Sequence, residues 1–119
     1  MAMILIAEDE YLVAEMLTMT LEDAGHTVRY AHHGKAALKI LNTEKIDLVI
    51  SDFMMPLMTG LELGQALQAS ETFRHIPIIL MSGAQGQDAR SHTDLFTAIL
   101  DKPFDIVELL VSVEAALQP

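Results

Sequence analysis

The sequence predicts a doubly wound α/β domain, a five-stranded parallel sheet with helices on both faces, on three observations. Five short apolar runs punctuate the chain. Several are continuous rather than alternating, which suits strands covered on both sides. Segments of helical spacing separate them, so strand and helix alternate five times, and that order folds through right-handed crossovers into a parallel sheet.

The runs are Met3 to Ala7, a weaker one from Thr27 to Ala31, Leu48 to Ser51, Ile76 to Met81, and Ala98 to Leu100. Between the first two, Val13, Leu17, Leu21 and Ala24 fall near one helical face, and Gly25 stands where a C-terminal cap would close that helix. Ala37, Ile40 and Leu41 mark the second helix, and Leu63 and Leu67 the third, after Gly60. The polar stretch from Gly83 to Asp88 reads as a mobile loop leading into a short fourth helix around Ala89 to Phe96. Ile106, Leu109, Leu110, Val113 and Leu117 outline the fifth helix, with Asp105 as its N-cap and Glu108 completing a capping-box-like pair.

The chain has 119 residues, 51% of them hydrophobic, which suits one domain with one real core. A single domain over residues 1–119 is expected, with no output domain after the fifth helix. There is no cysteine, which excludes disulfides and thiolate metal sites. The formal net charge is −10 with only seven scattered basic residues, which argues against a nucleic-acid surface. No run is long enough for a membrane span, and the N-terminal apolar run lacks the basic flank of a signal peptide. A cytoplasmic location is expected.

Parallel sheets of this kind bind ligands at the carboxyl ends of their strands. The first run ends in Glu8-Asp9-Glu10, the third in Ser51-Asp52, the fourth in Ser82-Gly83 and the fifth in Asp101-Lys102-Pro103. Topology alone therefore brings Glu8, Asp9, Asp52, Ser82 and Lys102 to one edge. Crowded carboxylates repel each other unless a cation is present. A hard divalent ion such as Mg²⁺ resolves this. One carboxylate nucleophile, a metal, a hydroxyl and an ammonium together suit an incoming phosphoryl group, and attack by the carboxylate gives an aspartyl phosphate. Taken singly, each residue has a commoner role as a cap, a turn or a surface charge. Their coincidence at four strand ends favours the site.

The stretch Asp52-Phe53-Met54-Met55-Pro56-Leu57-Met58-Thr59-Gly60 resembles the phosphoacceptor motif of response-regulator receiver domains in two-component signalling. Ser82-Gly83, Lys102-Pro103-Phe104 and Glu8-Asp9 resemble that family's other motifs, in order along essentially the whole chain. The resemblance implies a flavodoxin-like (βα)5 fold close to single-domain chemotaxis regulators. It implies that Asp52 accepts phosphate from a sensor histidine kinase or phosphotransfer protein, with Ser82 and Lys102 contacting the phosphoryl oxygens. Glu8, Asp9, Asp52 and the backbone carbonyl of Met54 would hold Mg²⁺, and Lys102-Pro103 would be a cis peptide. Such a domain is a signalling module rather than a turnover enzyme. It switches a protein-binding face toward an unknown downstream partner, and it allows a homodimer through the face from the fourth to the fifth helix.

The family usually carries Tyr or Phe three residues before the lysine, where this chain has Ile99. Phe96 is a candidate substitute, and coupling to the output face is expected to be atypical. Two competing readings are a pseudo-receiver that binds partners without phosphate, and a small metal-dependent phosphohydrolase. The latter wants a general acid two residues after the acceptor aspartate, where Met54 stands. Met54, Met55 and Met58 read as apolar packing, and His32 and His33 as surface or turn residues.

Overall fold

A computed structural model describes residues 2–83 and 93–118. The strands are β1 (Met3–Ala7), β2 (Thr27–Ala31), β3 (Leu48–Asp52), β4 (Ile78–Ser82) and β5 (Ala98–Asp101). The helices are α1 (Tyr11–Asp23), α2 (Gly34–Thr43), α3 (Gly60–Gln68) and α4 (Ile106–Leu117). The helix α4 is the fifth expected from sequence. The loop and most of the expected fourth helix lie outside the described residues. The end of that segment is a single 3₁₀ turn, Thr93–Leu95.

All strand pairs are parallel, in the order β2-β1-β3-β4-β5. The order reverses between β1 and β3, so a crevice opens where their carboxyl ends diverge. Side chains alternate across the pleat. Leu5, Val49 and Leu80 pack toward α2 and α3, with Ala37, Leu41, Leu63 and Leu67. Ile4, Ile6, Ile50 and Ile79 pack toward α1 and α4, with Leu17, Leu21, Leu109 and Val113. The three central strands are therefore apolar up to their carboxyl ends because both of their faces are dry. The edge strand β2 is only half-buried at most positions, which accounts for its weaker sequence signal.

Caps fix the helix ends. Gly25 adopts φ +96°, and Gly25 and His26 donate to the Glu22 and Leu21 carbonyls in a Schellman closure of α1. On α1 the buried stripe is Ala14, Leu17 and Leu21, whereas Val13 is half-buried and Ala24 is an exposed C-cap. Asp105 accepts from the Glu108 N–H at 2.7 Å as the N-cap of α4. The reciprocal capping box occurs instead at α3, between Thr59 and Glu62. No described helix is long and apolar enough to cross a membrane.

Candidate functional site

Of the five residues singled out at the strand ends, Glu8, Asp9, Asp52 and Lys102 meet through their side chains, and Ser82 is joined to Lys102 through its backbone carbonyl. Glu8 follows β1 and is fully buried, while its neighbour Asp9 is exposed. Asp52 closes β3 at 6% exposure and Ser82 closes β4 at 0%. Oxygen atoms of Glu8, Asp9 and Asp52 lie within 4.8 Å of one another. Lys102 follows β5, and its Nζ lies 2.9 Å from Asp52 Oδ1 and 3.4 Å from Glu8 Oε1.

Backbone bonds hold these groups in place. The Lys102 N–H donates to the Ser82 carbonyl at 2.7 Å, tying the lysine loop to β4. The Lys102–Pro103 peptide is cis. Glu8 Oε2 accepts from the Glu10 N–H at 3.1 Å, so this carboxylate also steadies the entry to α1. The Ser51 hydroxyl donates to the Asp52 carbonyl at 2.9 Å. Gly60 opens α3 with its N–H on the Phe53 carbonyl at 2.8 Å. A β-carbon there would collide with the Asp52 carbonyl oxygen, so only glycine lets the helix approach so closely.

The electrostatics follow from burial. Burial pushes the Glu8 carboxyl up to about 7, and the Asp52 charge adds to it, against the Glu10 N–H and Lys102. Burial also raises Asp52, although the Lys102 ammonium opposes it. For Lys102 burial acts downward, but the bond to Asp52 and the charges of Asp52 and Glu8 outweigh it, and the ammonium is held above its ordinary range. Tyr30 on β2 is also raised, by burial and then by the charges of Glu8 and Asp9.

One ammonium does not neutralise three carboxylates. The donor set is all oxygen, compact and strained by its own charge, and it fits a small hard divalent cation. Among the described residues the Ser82 hydroxyl is the one buried side-chain polar atom without a hydrogen-bond partner. Such an atom is rare in a folded interior, where a buried hydroxyl ordinarily has a protein or water partner. No hydrogen bond to the Met54 carbonyl is found among the described residues, and the Met54 side chain is 52% exposed.

Sequence reasoning missed two features nearby. His33 is the N-cap of α2, accepting from the Ala36 N–H at 3.0 Å through Nδ1, a role rarely taken by histidine. The Thr59-x-x-Glu62 spacing was the visible signal for the capping box at α3.

A family model described as the response regulator receiver domain matches residues 4–114. The phosphate regulon transcriptional regulatory protein PhoB of Pseudomonas aeruginosa is 33% identical over 118 residues, covering 97% of this chain and 51% of that protein. The regulatory protein VanR of Enterococcus faecium is 30% identical, covering 97% and 49%. The chain thus spans about half the length of the curated relatives it matches. Among solved structures, the signal receiver domain of a Syntrophus aciditrophicus signal transduction histidine kinase superposes with TM-score 0.91 at 31% identity, covering 98% and 90%. Chemotaxis response regulator CheY4 of Vibrio cholerae does so with TM-score 0.89 at 30% identity, covering 98% and 99%.

Proposed function

The chain belongs to the response regulator receiver domain family, and on that premise we propose that residues 1–119 form one phosphoryl-accepting domain whose acceptor is Asp52. The observation that carries this reading is the Lys102 ammonium 2.9 Å from Asp52, beside two further carboxylates. A carboxylate oxygen of Asp52 attacks the phosphorus of a phosphohistidine. The P–N bond breaks, and the imidazole, already protonated on its other ring nitrogen, leaves as the neutral ring. Lys102 Nζ moves from its bond with Asp52 to a phosphoryl oxygen, and the Ser82 Oγ–H donates to another. The reaction needs little more from the protein than position and fixed positive charge.

Glu8, Asp9, Asp52 and the Met54 carbonyl would hold Mg²⁺, which when bound neutralises phosphoryl oxygens and the crowded acids alike. Glu8 must shed its proton to take part, which links metal affinity to pH. The donor on this reading is a sensor histidine kinase or phosphotransfer protein, in the cytoplasm, and the modified domain presents a changed face to a downstream protein. The new anion acts by giving one of two arrangements extra charge-assisted bonds.

Intact mass after incubation with Mg²⁺ and a small phosphodonor tests the proposal. One phosphoryl adduct, base-labile and absent from Asp52→Asn, is expected. No adduct would make the chain a pseudo-receiver, and rapid multiple turnover would make it a phosphohydrolase.

A further inference from the structure

We propose that Phe96, seated against Gly64, couples the Asp52 end of α3 to the turn that precedes β5; this rests on the reading of Asp52 as phosphoacceptor. The helix touches both places. At its first residue, a β-carbon on Gly60 would meet the Asp52 carbonyl oxygen and come within 2.8 Å of Leu80 Cδ1. Four residues on lies Gly64, one turn along the same face. A β-carbon there would come within 3.0 Å of Phe96 Cε1 and 3.2 Å of Cζ, so the ring occupies the place of a missing side chain.

The segment between these two contacts is stiff. Thr59 and Glu62 cap it reciprocally, and Leu63 and Leu67 are 0% and 1% exposed. Phe96 is itself buried, at 7% exposure, and the Thr97 N–H is anchored to the Ile78 carbonyl at 2.8 Å. The ring is therefore held between α3 and the end of the sheet. Interiors packed at van der Waals distance transmit displacement rather than absorb it, and small shifts become discrete rearrangements. A change in the backbone at Asp52 moves Gly60. The rigid turn moves Gly64, and Phe96 either keeps or leaves its seat. Ile99, half-buried against the same core, has no ring to swing.

Hydrogen exchange of peptides spanning 93–101, before and after treatment with Mg²⁺ and a small phosphodonor, tests this, with the adduct verified by mass in each sample. A change of about fivefold or more in exchange is expected in the parent chain, the lower range of coupling between sites. Phe96→Leu and Gly64→Ala, two independent ways to spoil the seat, should form the adduct at parental yield and lose most of that change. Ile99→Val should keep it. An adduct without an exchange response, or a response that survives in both seat variants, overturns the coupling. Failure to form any adduct removes the phosphoacceptor reading itself, and the coupling with it.

Discussion

Replacing Asp9 with asparagine should stabilise the metal-free fold and weaken its response to Mg²⁺, opposite effects from one atom pair. The three acids offer oxygens within 4.8 Å of one another. Two unit charges at that separation repel by about 3 kcal/mol at an effective dielectric near 20, and by about 1 kcal/mol in water. Asp9 is exposed, so solvent screening selects the lower figure. Lys102 pairs with Asp52 and Glu8, so Asp9→Asn relieves repulsion without breaking either pair. Near pH 8, about 1 kcal/mol corresponds to a rise in Tm of about 4 °C for a domain of this size.

In the proposed Mg²⁺ site the same change removes one ligand, and a tenfold loss of affinity is about 1.4 kcal/mol. At a Mg²⁺ concentration one hundred times the parental Kd, binding stabilises the parent by about 2.7 kcal/mol and a tenfold weaker variant by about 1.4 kcal/mol. The advantage seen without metal is then cancelled. Thermal melts by circular dichroism, in EDTA and across a Mg²⁺ titration, read both effects. An Asp9→Asn protein that melts below the parent in EDTA, or gains the full parental shift from Mg²⁺, refutes the reasoning.

Three further outcomes follow from the same geometry. Glu8 titrates near 7 in the fold against an ordinary 4.5. A raised folded value favours the fold fully below the ordinary one and loses that advantage as pH rises through the folded one, so metal-free stability should fall by about 3 kcal/mol between those values. Urea denaturation across that window should show the slope in the parent, and a shallower one in Glu8→Gln, where the raised Asp52 still contributes. Lys102→Met leaves Glu8 and Asp52 without their cation and should cost about 2 kcal/mol at pH 8, discounted because the lysine is partly exposed, and much less at pH 5; equal losses at the two pH values would contradict the pairing. Gly60→Ala drives a β-carbon into the Asp52 carbonyl and should cost about 1–3 kcal/mol while slowing acceptance of phosphate from a small donor; an unchanged denaturation midpoint would show that α3 can withdraw freely.

The fold was legible where burial is symmetrical. The strands β1, β3 and β4 read as unbroken apolar runs because helices cover both of their faces, and the last helix read clearly because Leu109 and Val113 recur at helical spacing. The site was legible because carboxylates, hydroxyl and ammonium stand at strand ends, and parallel topology brings those ends together. Adjacent residues with divergent fates were not legible. Glu8 turns inward to complete burial and Asp9 outward, through a loop whose geometry has no period to read. The seat of Phe96 was equally hidden, since it depends on a residue that is absent, the side chain Gly64 lacks. Leu57 adopts φ +72° in the loop after β3, where no glycine or asparagine advertises a left-handed turn.

Chemical placement of the label tests the account most directly. Peptide mapping of the protein after reaction with a phosphodonor, under acidic conditions that preserve an acyl phosphate, should find the modification on the peptide containing Asp52, with Mg²⁺ required for its formation. A label on a histidine or on Glu8, or one formed equally well in EDTA, would contradict the proposal that this pocket turns Asp52 into a metal-assisted nucleophile.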